Sequence, residues 1–216
     1  MPDIVNPTIE GYVTALVPPR DPALARVEDA ALANHVPMVG PLEGQTLYVM
    51  ARLARAKTIL EVGSATGYSA IWLARAAQER GGSLLGIELD RDRHAEAERN
   101  LASAGLSGMA RIIQGDALAV LPTLSQQFDL VFVDLVRQLG DEDKLHRLYE
   151  LCLTRLAVGG VLAVDNVLHG GEAVTGATPG GRAADALNRQ MAGDRRLKTT
   201  FLTIRDGLAV SLKVAD

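Results

Sequence analysis

The chain has 216 residues, a formal net charge of −4 and no dense run of lysine or arginine. That balance lacks the electrostatic footprint of a nucleic-acid binder or of a protein drawn to an anionic membrane. Nearly half of the residues (48%) are apolar, enough for the single large core of one α/β domain.

In chain order, the first segments read as helices. Thr8–Val17 is a short amphipathic stretch stopped by Pro18-Pro19. Asp21-Pro22 reads as an N-cap with proline in the first helical position, opening a helix to about Asn34. Pro37–Gly40 is a loop, and Glu43–Ala56 carries apolar residues at helical spacing (Leu47, Met50, Leu53, Ala54). Strands are then predicted near 57–62, 83–88, 110–114, 128–133 and 160–164, with helices near 67–80, 91–104, 117–124 and 142–156 between them. Short, nearly all-apolar strands such as Leu130-Val131-Phe132-Val133 suit a parallel sheet covered on both faces. A glycine-rich loop (Gly170–Gly181) leads to one more helix and to strands at 197–204 and 208–213, joined by a tight turn at Arg205-Asp206-Gly207. The one cysteine, Cys152, lies among Leu148, Leu151 and Leu156 and reads as a small core residue. No repeat, linker or second domain is evident. No signal peptide or bilayer-spanning run is seen, so the expectation is a soluble, cytoplasmic protein.

The stretch Ile59-Leu60-Glu61-Val62-Gly63-Ser64-Ala65-Thr66-Gly67-Tyr68-Ser69-Ala70 reads as an apolar strand, a turn through two glycines and the start of a helix. Glycine lets a backbone approach a nucleotide-like ligand closely, and a helix N-terminus offers N–H groups to it. A hydride-transfer dinucleotide fingerprint spaces its glycines G-x-G-x-x-G. Here the spacing is G-x-x-x-G, with Glu61 two residues before the first. A carboxylate there repels a pyrophosphate and accepts from an ammonium, which favours an adenosyl ligand that carries an amino acid. Glu88 ends the second predicted strand, where a doubly wound fold grips ribose hydroxyls. Gln114-Gly115-Asp116-Ala117 follows in register. With these residues the chain resembles the class I S-adenosylmethionine-dependent methyltransferases. The resemblance implies a Rossmann-like, doubly wound, mostly parallel seven-stranded α/β sheet with an antiparallel C-terminal hairpin and N-terminal helices. It casts residues 1–216 as a single methyltransferase domain, with 1–56 a helical cap and 57–216 the core.

The fourth predicted strand ends at Asp134 and the fifth at Asp165-Asn166. If the two strands are neighbours, these side chains converge beyond the carboxyl ends of the sheet, where ligands bind in open α/β folds. Two carboxylates and an amide oxygen form a hard set that suits Mg²⁺, Ca²⁺ or Mn²⁺ rather than Zn²⁺ or Cu²⁺. Read singly, Asp134 could cap the next helix or hold an amino group, and Asp165-Asn166 could be an ordinary turn.

This pattern narrows the resemblance to the cation-dependent O-methyltransferases of the caffeoyl-CoA and catechol type, from about Gly40 to the C-terminus. It is carried by Pro41-Leu42-Glu43-Gly44-Gln45, by Phe128–Asp134 and by Gly159–Leu168. The resemblance implies that Glu43, Glu61, Gly63, Ser69, Glu88, Asp116, Ala117 and Asp134 contact S-adenosylmethionine. It implies that Asp134, Asp165 and Asn166 bind the cation. The expected reaction is methylation of a catechol-like or hydroxylated aromatic small molecule, by a homodimer. The alternatives are a tRNA hydroxynucleoside O-methyltransferase and a catalytically degenerate S-adenosylmethionine-binding protein. The family pattern Asp-Ala-Asp-Lys is here Asp134-Leu135-Val136-Arg137. The second acid is gone, and arginine, always protonated and without an acceptor, cannot act as the base that lysine supplies. Arg137 is therefore expected to stabilise an oxyanion, with Asp134 and His169 as the other catalytic candidates and Lys144 and His146 as more distant replacement bases.

Overall fold

Strands and helices alternate from Thr58 onward, as the apolar pattern predicts. The computed structural model describes residues 4–216, and Met1–Asp3 of the expected cap lie outside the described residues. The strands are β1 (Thr58–Val62), β2 (Ser83–Glu88), β3 (Ala110–Gln114), β4 (Phe128–Val133), β5 (Leu156–Asp165), β6 (Leu197–Leu202) and β7 (Leu208–Lys213). They form a seven-stranded sheet in the order β3-β2-β1-β4-β5-β7-β6. The β1–β2, β2–β3 and β4–β5 pairs are parallel, whereas β7 runs antiparallel to both of its neighbours. This is the expected α/β class, with its antiparallel C-terminal hairpin. The helices are α1 (Pro7–Ala15), α2 (Pro22–Ala33), α3 (Gly40–Leu53), α4 (Tyr68–Gln78), α5 (Arg91–Ser103), α6 (Ala117–Val120), α7 (Val136–Leu139), α8 (Glu142–Arg155), α9 (Glu172–Thr175) and α10 (Pro179–Gly193). Among the described residues no helix is long and apolar enough to cross a membrane. The chain divides into two compact units, Pro7–Ala117 and a second built from Leu118–Asp216.

In the Pro7–Ala117 unit, α2 starts at the expected cap, where Asp21 Oδ1 accepts from the N–H groups of Ala23 (2.8 Å) and Leu24 (3.3 Å). Helix α3 begins at Gly40, three residues before Glu43, because Pro41 fits the first helical turn, where no intrahelical N–H is needed. Ile59, Leu60 and Ile87 of β1 and β2 are buried, as are Ile71 and Leu73 of α4, the helix that packs on these strands. Glu28 of α2 receives the Tyr68 hydroxyl at 2.5 Å and the Arg20 guanidinium at 2.9 Å, which ties α2 to the start of α4.

In the Leu118–Asp216 unit, Val133 of β4 and Leu162 and Val164 of β5 line an apolar cavity with Leu145, Leu148 and Cys152 of α8 and Leu187 of α10, while Phe128, Leu130 and Phe132, on the other face of β4, are also buried. Burial pushes the Cys152 thiol up to about 12, so it packs as a small apolar side chain. Strand β5 begins at Leu156, four residues before the expected start. Leu156 pairs with Phe128, and a register shift before Leu130 takes up Gly159-Gly160 inside the strand. The segment between β4 and α8 contains α7, closed by Gly140. The glycine-rich loop contains a 3₁₀ turn at His169–Gly171 and α9. Buried Lys213 on β7 donates to the carbonyls of Leu153 (3.1 Å) and Leu156 (2.9 Å), capping the end of α8 with a positive charge.

Close packing predicts a sensitive position on β2. A Cβ added at Gly86 would lie 2.4 Å from Ile112 Cδ1 and 2.4 Å from Ser64 Oγ. Gly86→Ala should therefore cost about 1–3 kcal/mol, read as a lower melting temperature and denaturant midpoint. An unchanged midpoint would contradict this packing.

Candidate active site

The carboxyl ends of β1 and β2 carry one group of candidate residues. Gly63 (φ 95°) and Gly67 (φ 86°) occupy the left-handed region that glycine alone enters without strain. They turn the chain sharply out of β1 and into α4. The N–H groups of Gly63 and Ser64 both donate to Ile87 O (2.9 and 3.1 Å), and Gly67 N donates to Ser64 O (2.8 Å). Asn100 of α5 braces the loop from outside by donating to Thr66 O at 2.8 Å. Glu88 Oε2 accepts from Ala65 N (2.8 Å) and Oε1 from Asp90 N (2.9 Å). The acid expected on a ribose thus first holds the glycine loop, and each oxygen keeps further acceptor capacity for a hydroxyl.

Glu61 is fully buried, and neither of its carboxylate oxygens has a hydrogen-bond partner. Its pKa is pushed up to about 7, chiefly by desolvation. The neighbouring Glu88 charge adds to the rise, and the Ser64 and Ser69 hydroxyls oppose it. An orphaned carboxylate at a strand end is a place made for a donor that the chain does not supply. Ser69 and Ala117 are buried, Glu43 is completely buried on α3, and Asp116 is exposed. Gly44, beside Glu43, lies so close to α4 that a Cβ there would stand 2.4 Å from Trp72 Nε1. All seven of these expected cofactor residues belong to the Pro7–Ala117 unit.

A second group, in the Leu118–Asp216 unit, lies at the carboxyl ends of β4 and β5, where Val133 pairs with Val164 in parallel register, so the expected adjacency of Asp134 and Asp165 holds. The Asn166 amide nitrogen donates to Asp134 Oδ1 and Asp165 Oδ2, both at 2.8 Å, and one amide thus draws the two carboxylates together. Asn166 itself is left-handed (φ 63°), a conformation that asparagine tolerates better than most residues. Among the described residues no cluster of three or more His, Cys, Asp or Glu is arranged for a metal. The set is two carboxylates and an amide, which carries an oxygen as well as the nitrogen making these contacts. Its hard-oxygen chemistry fits a divalent cation of the Mg²⁺ type.

Arg137 extends from α7, half exposed, and its Nε donates to Asp206 Oδ2 at 2.7 Å. That bond holds the guanidinium even more firmly in its charged form, with Asp165 and Glu172 adding smaller attractions. His169 (φ 50°) places Nδ1 3.0 Å from Glu172 Oε2, and its Nε2 edge rests against Gly180. Thr178 also donates to Glu172 Oε2 (2.6 Å), and the Glu172 carboxyl is held below its usual range by Thr178 and then by His169. Lys144 and His146 of α8 are both exposed. The sequence reading treated Asp206 only as part of a turn. Its side chain meets Arg137 because β7 lies beside β5, which no local pattern reveals.

The buried acid makes a prediction for the ligand-free protein. Between the ordinary glutamate range and about pH 7, the folded chain keeps the Glu61 proton that the unfolded chain has released. The folded state then binds more protons, so stability falls as pH rises through that window. Glu61→Gln should raise the melting temperature at about pH 8, by the equivalent of roughly 1–3 kcal/mol, and change little near about pH 4.5. A difference independent of pH would overturn this account.

Comparison with known proteins agrees with the geometry. A profile of the O-methyltransferase family matches residues 23–214. A catechol O-methyltransferase of Niastella koreensis is 28% identical over 95% of this chain and 96% of its own length. A catechol O-methyltransferase of Mycobacterium tuberculosis is 32% identical over 87% of this chain and 84% of its own. Among solved structures, the O-methyltransferase TomG of Streptomyces achromogenes, crystallised in complex with SAM and involved in tomaymycin synthesis, superposes with a TM-score of 0.84. It is 30% identical over 96% of both chains. The chain therefore belongs to the O-methyltransferase family, among the class I S-adenosylmethionine-dependent enzymes that include catechol and caffeoyl-CoA O-methyltransferases.

Proposed function

We propose that the enzyme transfers the methyl group of S-adenosylmethionine to a hydroxyl oxygen of a catechol-like or hydroxylated aromatic small molecule, with a divalent cation held by Asp134, Asp165 and Asn166. The observation that carries this reading is the convergence of the Asp134 and Asp165 carboxylates on the Asn166 side chain at the ends of neighbouring parallel strands, where the amide nitrogen holds both acids and the amide oxygen is the third hard donor of the set. The catechol O-methyltransferases among the relatives support the acceptor class, and TomG with its bound SAM supports the donor.

Each residue then has a part that its geometry suits. Glu61, buried and unpartnered, accepts the ammonium of the donor's methionine moiety. The tight backbone at Gly63 lets the donor lie close. Glu88 offers its remaining lone pairs to the ribose, and Glu43, Ser69, Asp116, Ala117 and Asp134 complete the contacts. A divalent cation at the oxygen set supplies acidification and orientation of the acceptor's hydroxyl groups. Arg137, which cannot take a proton, stabilises negative charge on the acceptor oxygen from its fixed place beside Asp206. His169 holds Glu172 and so braces the loop that follows Asp165-Asn166 against the cap of α10.

Titration calorimetry with S-adenosylmethionine or its demethylated product should give a clear heat for the wild type and none for Gly63→Val. Absence of heat in the wild type would overturn the donor assignment. With labelled donor and a catechol panel, methyl transfer should disappear in excess EDTA and in Asp165→Ala, while donor affinity stays near that of the wild type. Full activity in EDTA would remove the cation from the reading. Donor binding without transfer to any acceptor would favour a binding protein instead. Arg137→Ala should lower turnover roughly ten- to a thousandfold, as removal of one oxyanion donor does elsewhere.

A further inference from the structure

We propose that Asp206, at the tip of the β6–β7 hairpin, is the positioning residue that aims the Arg137 guanidinium at the acceptor oxygen, which makes the hairpin tip a working part of the active site. The inference rests on the role given to Arg137 above and extends it to a residue far away in the chain.

The geometry is that of a clamp. Asp206 Oδ2 accepts from Arg137 Nε at 2.7 Å, and Oδ1 accepts from Gly170 N at 2.6 Å. One carboxylate therefore binds the segment that leaves β4 and the segment that leaves β5. Its own position is fixed by the backbone: Leu168 N donates to Asp206 O at 2.9 Å and Val167 N to Gly207 O at 3.2 Å. The Asp206 side chain is 15% exposed, against 49% for Arg137, so the acceptor of the pair is the anchored partner and the arginine is the one being held.

Such an anchor is needed. An arginine side chain carries large rotamer entropy, and α7 is a helix of only four residues, too short to order a long side chain by packing. A hydrogen bond at Nε holds the fork by its inner nitrogen and leaves the terminal nitrogens beyond it, pointing the charge without covering it. The second bond, to Gly170 N, stops the carboxylate from swinging with the arginine. It also fixes the loop that begins at Asp165-Asn166 against the same point. The other charges acting on Arg137 are Asp165 and Glu172, both attractive and neither hydrogen-bonded to it, so Asp206 alone gives it a direction.

The test uses full-length wild type, Asp206→Asn, Arg137→Ala and the double variant, assayed with a catechol acceptor and Mg²⁺. Asparagine keeps an oxygen for Gly170 N but presents no charge to Arg137. Asp206→Asn should lower kcat about tenfold or more, with the KM for the acceptor changed far less. Donor affinity by calorimetry should stay within about twofold of wild type, and the melting temperature close to it. The pH at which kcat rises should move upward, because a loosely aimed guanidinium stabilises the acceptor oxyanion less. A purely structural role would not move that profile. The double variant should be no slower than Arg137→Ala alone, the mark of two residues acting through one interaction. Should Asp206→Asn melt early, Asp206→Glu keeps the carboxylate but displaces it by one methylene, and should give an upward shift of the same kind with Arg137 intact. A wild-type rate and profile in Asp206→Asn, or losses that add in full, would overturn the inference while the proposed function stands. A wild type that binds donor yet methylates no catechol would overturn both.

Discussion

A carboxylate sealed near the end of β1, with no hydrogen bond formed to it, sets the terms for the Pro7–Ala117 unit. Glu61 and Glu88 end neighbouring strands of the same sheet, yet their situations are opposite. Glu88 is satisfied by two backbone N–H groups and thereby fixes the shape of the glycine loop. Glu61 lies beside that same loop, whose Ser64 hydroxyl, with Ser69 of α4, eases its charge without forming a hydrogen bond to it. Burying an acid in this way opposes folding. The burial of apolar residues such as Ile59, Leu60, Ile71 and Leu73 in the same unit offsets the cost. The arrangement follows a general rule that local violations of good packing gather where ligands bind. One acid builds the site and the other waits in it.

The Leu118–Asp216 unit handles its departure from the family pattern through packing. Val136 and Arg137 are adjacent on α7 but go separate ways, one wholly buried and the other half exposed. Val136 lies in an apolar cavity with Val133, Leu145, Leu148 and Cys152. An acid at that position would have no hydrogen-bonding partner among those neighbours and would be costly to desolvate. The loss of the acid is therefore not an isolated substitution. The short helix α7 turns position 136 into the core and sends position 137 outward.

Most of the fold was legible because its signals are local. β2, β3 and β4 match their expected bounds, since apolar runs flanked by turn residues mark strands directly. The Asp21 cap was read from two residues and is present as read. Helices α7 and α9 were not seen, because four residues carry no periodicity. The start of β5 was placed late because Gly159-Gly160 reads as a break, whereas the strand absorbs both glycines at a register shift. Glu61, Gly63, Glu88, Asp134, Asp165 and Asn166 were legible for the same reason as the strands: each sits where an apolar run stops. Asp206 was not, because its partner Arg137 is 69 residues away and the contact depends on which strand lies next to β5.

The position of β7 also bears on how the chain acquires its structure during synthesis. β6 is made before β7, yet among the described residues the strand it pairs with is β7, and β7 in turn pairs with β5. Until the residues of β7 have left the ribosome, β6 has nothing to join and the edge of β5 stays open. An open, apolar edge of this kind is where misassembly begins. Asp206 in the hairpin turn and Lys213 on β7 reach their partners when β7 pairs with β5, so the hold on Arg137 and the cap on α8 both depend on that one pairing.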